Sequence, residues 1–173
     1  MSRIRTPVVA GWFRGDCTDE GPGEGPRGET GERGFRLLGT RCAACGSVFF
    51  PREDHYCRNP RCAGTELTEV PLSPRGRVWS YTDGRYRPPA PYLSDPDREW
   101  VPYTLVAVEL AAERMIVLGQ AAPGVSVADL AVGMEVEVVP GVLNEDAERI
   151  WTTWHFRPVS GGADGRETGG ERP

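Results

Sequence analysis

Four of the five cysteines in this sequence fall into two close pairs. Cys42 and Cys45 are separated by two residues, Cys57 and Cys62 by four, and eleven residues lie between the pairs. Two short turns with two sulfurs each can surround one ion, and four thiolates favour tetrahedral zinc. Two disulfides, ordinary buried thiols and an iron site are the alternatives, and the spacing favours zinc. Four protein ligands leave no position for water or substrate, so one structural zinc per chain is expected.

The other residue types that commonly perform catalysis are sparse. His55 lies between the cysteine pairs, and we expect it at the surface or beside the metal ligands. His155 alternates with Trp154 and Phe156 in a predicted strand, so its side chain is expected at the surface. Cys17 has no neighbouring base to lower its pKa, and no role is assigned to it. The motifs of serine hydrolases, phosphate-binding loops, zinc proteases and dinucleotide-binding folds are missing, so we expect no catalytic residue in this chain.

Length and composition predict a small β protein with a metal module. The 173 residues include 22 glycines and 16 prolines, which limits the size of the core. The net charge of −5 argues against a protein that mainly binds phosphate backbones. The first residues lack the apolar segment of a signal peptide, and no apolar run is long enough for a membrane span. We therefore expect a cytoplasmic protein, in a compartment where cysteines stay reduced.

The first 34 residues are predicted to contain a helix and a flexible insert. Residues 6–17 can open a helix with Thr6 as the N-cap and Pro7 in the first turn. Trp12 and Phe13 would then share an apolar face, which packs either on the metal module or on a partner. Residues 18–34 are rich in Gly, Pro and Glu, and are predicted to be flexible. The same reasoning predicts a disordered tail over residues 160–173.

Short strands dominate from residue 35 onward. Residues 35–72 are predicted to form a zinc ribbon, in which a hairpin carries the first cysteine pair. Residues 73–159 contain five or six alternating segments separated by Gly and Pro turns, which is typical of a small closed barrel of the OB type. Residues 101–110 and 114–121 are predicted to form a hairpin. The predicted fold is therefore mainly β: an N-terminal helix, a rubredoxin-like zinc ribbon and a C-terminal OB-fold barrel.

The order of several short motifs resembles a known family. After the Trp-Phe segment and the first cysteine pair come Phe-Phe-Pro-Arg at 49–52, Gly-Arg-Val-Trp-Ser-Tyr-Thr at 76–82, Val-Gly-Met-Glu-Val-Glu-Val at 132–138 and Trp-His-Phe-Arg-Pro at 154–158. This order, over residues 6–159, is similar to that of the DUF35 family of zinc-ribbon plus OB-fold proteins. Two features depart from the family pattern: the second metal turn has two extra residues, and the insert at 18–34 separates the predicted helix from the ribbon.

The resemblance implies a function as well as a fold. Similar proteins are small, non-catalytic subunits of hetero-oligomers with thiolase-like or lipid-transfer-protein-like large subunits. Such complexes process acyl-CoA in condensation, retro-aldol or acyl-transfer steps of lipid and related metabolism. The large subunit holds the nucleophile and base, and the small subunit supports it and can contribute to the acyl-CoA entrance.

The connection at residues 83–100 is long for a small barrel, and such loops are commonly functional or disordered. Its prolines reduce the entropy lost on docking, and its aromatic and arginine side chains are of the types that dominate interfaces. The loop either folds back on its own barrel or contacts a partner and a CoA phosphate. The residues predicted to make partner or acyl-CoA contacts are Arg85, Tyr86, Arg87, Tyr92, Leu93 and Trp100.

Two other classes of function compete with this interpretation. A protein that binds single-stranded nucleic acid would place aromatic side chains in a basic groove. Candidate residues for such a groove are Trp79, Tyr81, Tyr86, Arg75, Arg77, Arg85 and Arg87. The negative net charge and the acidic strand at 134–139 argue against nucleic acid. A stand-alone enzyme is the other alternative, which activity of the isolated chain would reveal.

Overall fold

The computed structural model describes residues 3–15, 34–92, 94–95 and 97–159. The predictions for the insert, the tail, Cys17 and Leu93 fall outside these residues. The described chain forms two β-sheets from ten strands: β1 Ile4–Pro7, β2 Phe13–Arg14, β3 Arg36–Cys42, β4 Val48–Phe49, β5 Leu67–Pro71, β6 Arg75–Gly84, β7 Tyr103–Leu110, β8 Met115–Ala121, β9 Glu135–Glu145 and β10 Arg149–Pro158. A single 3-10 turn, Val127–Asp129, is the one helical element in this part of the chain.

Strands β6 to β10 close into a five-stranded barrel. The strand order is β10-β8-β7-β6-β9, and β9 also pairs with β10, which joins the two edges. All contacts around the barrel are antiparallel except the short parallel pairing of β10 with β8 at His155–Gln120 and Phe156–Ala121. The predicted hairpin is present as β7 and β8. The apolar residues that alternate along these strands, such as Val106 and Val108, point inward and are almost fully buried.

The second sheet is the ribbon that carries the cysteines. Its central strand β3 pairs with β5 along one edge and with β2 and β4 along the other. Cys42 is the last residue of β3, so the first cysteine turn begins where the central strand ends. The ribbon thereby fixes the backbone on both sides of the predicted metal site.

The predicted N-terminal helix is wrong. Residues 4–7 are extended as β1, which pairs in parallel with residues 149–152 of β10, and residues 13–14 form β2 on the ribbon. The backbone amide of Val8 extends this pairing by donating to the carbonyl of Thr152. By pairing with the edge of β10, this segment gains backbone hydrogen bonds between strands. A helix of only two or three turns would be marginally stable by itself.

Trp12 and Phe13 pack on other parts of the same chain. The Trp12 ring lies 5.5 Å from Phe50 and 6.1 Å from Trp154, and Phe13 lies 5.3 Å from Phe35, between ring centroids. Phe50 belongs to the ribbon and Trp154 to β10. The aromatic cluster therefore joins the N-terminal segment, the ribbon and the barrel.

Ribbon and barrel also share one continuous hydrophobic core. Leu37 of β3 and Leu72, just after β5, belong to the same buried cluster as the inward-facing residues of the barrel. The Glu113 carboxylate, in the β7–β8 turn, accepts hydrogen bonds from the Ser73 amide at 2.8 Å and hydroxyl at 2.9 Å. Ser73 lies between the ribbon and the barrel, so this contact fixes the connection between them.

A β-bulge in β6 changes which side chains face outward. The register shifts between Val78 and Ser80, so Trp79 has no partner residue on β7. Beyond the bulge, Ser80 is exposed and Tyr81 turns toward the core, the reverse of what strict alternation from the buried Val78 would give. One extra residue inverts the in–out pattern of everything that follows it.

The prediction for His155 is also wrong. Its side chain is buried, with 4% of its surface exposed, although it points away from the interior-facing Phe156. The imidazole covers the backbone of Gly141 on β9, where an added Cβ would lie 2.6 Å from Nδ1. A glycine on the neighbouring strand leaves a recess that the ring fills, and this pairing was not visible in the sequence.

Candidate metal centre and barrel loop

The four paired cysteines converge at one end of the ribbon. Their sulfur atoms all lie within 4.8 Å of one another. Cys42 Sγ lies 3.8 Å from Cys62 Sγ, and Cys45 Sγ lies 3.6 Å from Cys57 Sγ. Zn–S bonds of about 2.3 Å in a tetrahedron separate the sulfurs by about 3.8 Å. The four cysteines are therefore positioned to bind one metal ion with zinc geometry, as predicted.

Backbone and side-chain donors surround these sulfurs. The Asn59 amide donates to Cys57 Sγ at 3.4 Å, and the Gly64 amide donates to Cys62 Sγ at 3.4 Å. The Asn59 side chain lies 3.7 Å from Cys45 Sγ. Such contacts orient thiolates and reduce their charge. Sequence reasoning missed Asn59 and Gly64, although Asn59-Pro60 inside the second cysteine turn is a recognisable turn signal.

Gly64 is required by the space around the cysteines. A Cβ at this position would lie 2.8 Å from Cys42 Sγ and 3.3 Å from Cys62 Sγ. Its carbonyl also accepts a hydrogen bond from the Cys57 amide at 2.9 Å. Gly46 has a different role, because its φ of 73° lies in the left-handed region that ends the first cysteine turn.

The thiols differ in their acidity before any metal binds. Hydrogen bonds from the Ser47 side chain and backbone lower the pKa of Cys45 to about 6. Burial raises the pKa of Cys57 to about 12. Bound zinc would favour the thiolate form at all four positions, because only the deprotonated sulfur is a good ligand.

The described residues of the loop at 85–100 fold back on the barrel of the same chain. The Tyr92 ring is parallel to that of Tyr103 on β7, with centroids 6.2 Å apart, and Trp100 meets Tyr103 edge-on at 5.5 Å. Trp100 Nε1 donates to the Gly84 carbonyl at 3.3 Å, and Gln120 donates to the Tyr92 hydroxyl at 2.9 Å. Tyr92 and Trp100 are therefore anchored within the protein.

The other residues predicted in this loop have different environments. Arg87 lies over the Trp100 ring at 5.9 Å, and its guanidinium also donates to the Arg98 carbonyl. Arg85 is paired with Asp83 at 3.0 Å. Tyr86 remains 74% exposed and is free to contact another molecule.

Two adjoining clefts lie where this loop meets the ends of β9 and β10. The smaller, of about 220 Å³, is lined by Arg87, Tyr92, Trp100 and Asn144, among others. The larger, of about 370 Å³, is lined by Arg3, Arg5, Asn144 and Ile150, among others. Arg98, Leu143 and Asn144 belong to both. In OB folds, ligands commonly bind beside the loops that follow the first and fourth strands, which is where these clefts lie.

The groove predicted for nucleic acid is only partly assembled. Trp79 is 58% exposed, but Tyr81 is partly buried and packs against the core. Arg77 donates to the Gly133 carbonyl at 3.0 Å, and Arg75 lies 3.8 Å from Glu137. The candidate aromatic and basic side chains therefore do not line one continuous groove.

Exposed apolar residues mark the outer surface of the barrel. Leu118 on β8 is 59% exposed, and Ile116 on the same strand is also exposed, as is Trp79 on β6. The sequence placed these residues in strands but gave no indication of which face would be left uncovered. No helix in the described part of the chain is long and apolar enough to cross a membrane.

Family models match the two halves of the fold. Residues 33–68 match the model described as the ChsH2 rubredoxin-like zinc ribbon domain, and residues 69–140 match the ChsH2 C-terminal OB-fold domain. The boundary between them falls inside β5 of the structure.

Individual proteins are similar over different lengths. A DUF35 domain-containing scaffold protein of Methanocaldococcus jannaschii is 32% identical over 128 residues, which is 72% of this chain and 83% of that protein. Benzoylsuccinyl-CoA thiolase subunit BbsA of Thauera aromatica is 43% identical over 47 residues, which is 27% of this chain and 31% of that protein.

The fold is also similar to a solved structure. A chain of the Ltp2–ChsH2(DUF35) aldolase superposes with a TM-score of 0.51 and 29% identity, covering 71% of this chain and 84% of that one. The chain thus has a zinc ribbon followed by an OB-fold barrel, and the ribbon carries the four-cysteine site. The length and identity of the match to the scaffold protein show that this chain belongs to the DUF35 family.

Proposed function

We propose that this chain is a non-catalytic accessory subunit of an acyl-CoA-processing complex. Its partner would be a thiolase-like or lipid-transfer-protein-like large subunit that supplies the nucleophile and base. The observation that carries the proposal is the similarity of 72% of the chain to a protein named as a scaffold. The shorter match to a thiolase subunit and the superposition on a DUF35 chain of an aldolase point the same way.

The metal site supports a structural role for this chain. Four cysteines form one site, so a bound zinc keeps no position open for substrate. Its site lies at the end of the ribbon, where it would hold together two turns and the strand β3. The chain's own residues therefore provide a rigid body to which a larger protein can bind. A four-thiolate site also suits the reducing cytoplasm, which is where we propose that the complex acts.

Tyr86 is the residue of the loop best placed to contact the partner directly. It is largely exposed, whereas Tyr92 and Trp100 are packed on Tyr103. Tyr92 and Trp100 would contribute by holding the loop in shape. We therefore expect Tyr86→Ala to weaken co-elution with the large subunit without changing the thermal unfolding of the isolated chain. Val132→Ala is a matched control, because Val132 is 70% exposed but lies near the other end of β6.

Arg87 is the residue of this chain that we expect to contact acyl-CoA. It lines the smaller cleft and is held over Trp100, and a guanidinium suits a phosphate group because its donors are planar and paired. Arg87→Gln in the complex is expected to raise the KM for an acyl-CoA several-fold and to leave kcat nearly unchanged. Arg85→Gln serves as the control, since Arg85 is in the same loop but does not line the cleft. An equal KM in both variants and the unmodified complex would remove Arg87 from the proposal.

The accessory role is tested by isolating the native complex. The tagged full chain is expressed in its source organism, and proteins recovered at near-equal stoichiometry are identified by mass spectrometry. We expect a thiolase-like or lipid-transfer-protein-like enzyme, and acyl-CoA turnover by the purified complex but not by the isolated chain. The proposal would be contradicted if the isolated chain turned over acyl-CoA and a point mutation in that chain abolished the activity. It would also be contradicted if no thiolase-like or lipid-transfer-protein-like enzyme were recovered.

Binding to single-stranded nucleic acid is the second candidate function. The exposed Trp79 ring and the position of the clefts beside two OB-fold loops are the observations in its favour. A gel shift with a short oligonucleotide at low salt distinguishes the two functions. We expect no shift that depends on Trp79, because the surrounding arginines are engaged with carbonyl or acidic groups.

A further inference from the structure

The second cysteine turn is longer than a two-residue spacer, and Asn59 lies at its centre. The Cys62 amide donates to the Asn59 carbonyl at 2.9 Å, and the Arg61 amide donates to Asn59 Oδ1 at 3.1 Å. The second contact is an Asx turn, in which the side chain imitates a backbone turn. Asn59 thereby folds the four residues between Cys57 and Cys62 into a compact loop, which brings the two sulfurs to the same ion.

Asn59 also contacts the sulfurs of both cysteine pairs. Its backbone amide donates to Cys57 Sγ at 3.4 Å, within its own turn. Its side-chain Nδ2 lies 3.7 Å from Cys45 Sγ, which belongs to the other turn. Cys45 is the exposed member of the four, whereas Cys42 and Cys57 are buried. The side chain of one residue therefore reaches across the site to the sulfur of the exposed cysteine.

We propose that Asn59 is a positioning residue of the metal site, which folds the long second turn and donates a hydrogen bond to the Cys45 thiolate. The two extra residues of the second turn create the place for this asparagine. The donated hydrogen bond fixes the orientation of Cys45 and withdraws charge from its sulfur. Groups that contact metal ligands in this way typically change metal affinity by about 10- to 100-fold.

Substitutions of Asn59 separate the two contributions. Asn59→Asp keeps the acceptor for the Arg61 amide and the shape of the side chain but loses the N–H donor. Asn59→Ala loses the acceptor as well. Arg61→Ala is the matched control, because it changes the net charge by the same amount as Asn59→Asp, lies in the same turn and is exposed. Its backbone amide, which makes the Asx turn, remains.

The full chain is loaded with Co²⁺, and its sulfur-to-metal charge-transfer bands are recorded for each variant. Zinc affinity is measured in parallel by competition with a chromophoric chelator. For Asn59→Asp we expect charge-transfer bands at longer wavelength, because a thiolate without a hydrogen bond gives up its electrons more easily. We also expect its zinc affinity to fall by about tenfold or more. Arg61→Ala is expected to match the unmodified chain in both measurements, and Asn59→Ala to lose more affinity than Asn59→Asp.

Three results would overturn the proposal. The first is that Asn59→Asp has the same charge-transfer bands and the same zinc affinity as the unmodified chain. The second is an equal loss in Asn59→Asp and Arg61→Ala, which would trace the effect to net charge alone. The third is a loss of affinity in Asn59→Ala with unchanged bands in both Asn59 variants, which would leave only a turn-forming role. The Co²⁺ bands report the sulfur environment directly, so a general loss of stability cannot imitate the expected shift.

Discussion

Cys57 is the most informative of the metal ligands to replace. It is buried, and its sulfur lies 3.6 Å from that of Cys45 in the other turn. Cys57→Ser is expected to lower the zinc content from one per chain to a small fraction, because metal binding and folding of such modules are coupled. Elemental analysis of the purified chain measures this, with Ser80→Ala as an exposed control outside the ribbon. Full zinc occupancy in Cys57→Ser would contradict the four-cysteine site.

His155 predicts how stability depends on pH. Burial lowers its pKa below the ordinary value, and neither ring nitrogen has a hydrogen-bond partner among the described residues. The unfolded chain takes up a proton near pH 6.5, whereas the folded chain resists it. The contribution of His155 is therefore fully present above about pH 6.5 and is lost as the pH falls toward the folded value, by at most about 1.4 kcal/mol per pH unit.

Urea unfolding between pH 5 and 7.5 measures this dependence. His155→Leu is expected to have a flatter stability profile in that range than the unmodified chain. His55→Leu is the matched control, since His55 is the other histidine of the chain and is exposed. Equal slopes in the His155→Leu variant and the unmodified chain would show that His155 does not sense pH.

The chemistry of single residues was predictable where spacing determined it. Four cysteines at short intervals specify a common ligand set, and the structure brings their sulfurs together. His155 was not predictable, because its burial depends on Gly141 of the adjacent strand. Asn59 was missed for a related reason: its partner Cys45 is fourteen positions away in sequence, and no periodic pattern connects them.

At the level of secondary-structure elements, the N-terminal segment is held by aromatic packing. Trp12→Ala is expected to destabilise the whole chain by about 2 kcal/mol, less than the 3–5 kcal/mol typical of a fully buried ring, because Trp12 is only half-buried. Chemical denaturation followed by circular dichroism gives this free energy. Tyr86→Ala, which removes an exposed ring, should change it by less than about 0.5 kcal/mol. A comparable loss in both variants would contradict the packing role of Trp12.

Strands of the barrel were easier to predict than the elements at its edges. Residues 101–110 and 114–121 are two mostly apolar runs joined by a short turn, which identifies a hairpin from local sequence alone. The N-terminal segment has a helical arrangement of apolar residues, yet it pairs with β10, whose position the sequence does not reveal. The bulge at Trp79 was also unpredictable, because no glycine or proline marks it.

For the whole molecule, the shared core predicts that metal removal affects both domains. Leu37 and Leu72 of the ribbon are buried against the barrel, so unfolding of the ribbon would expose barrel residues. Treatment with a strong zinc chelator is expected to lower the melting temperature of the barrel as well as that of the ribbon, in a single transition. Near-ultraviolet circular dichroism of the tryptophans and scanning calorimetry follow the two parts. A barrel transition that is unchanged after zinc removal would show that the domains unfold independently.

The parallel pairing of β1 with β10 has a consequence for the order in which the chain folds. Ile4 meets Arg149, so the first strand cannot find its neighbour until nearly all of the described chain has been synthesised. The ribbon is complete by Pro71, and its four cysteines are available to zinc long before that moment. Contacts between distant parts of a chain form slowly, because closing a long loop costs entropy. During translation the metal can therefore be bound first, and the edge of the barrel is completed last, by a strand that was synthesised long before its partner.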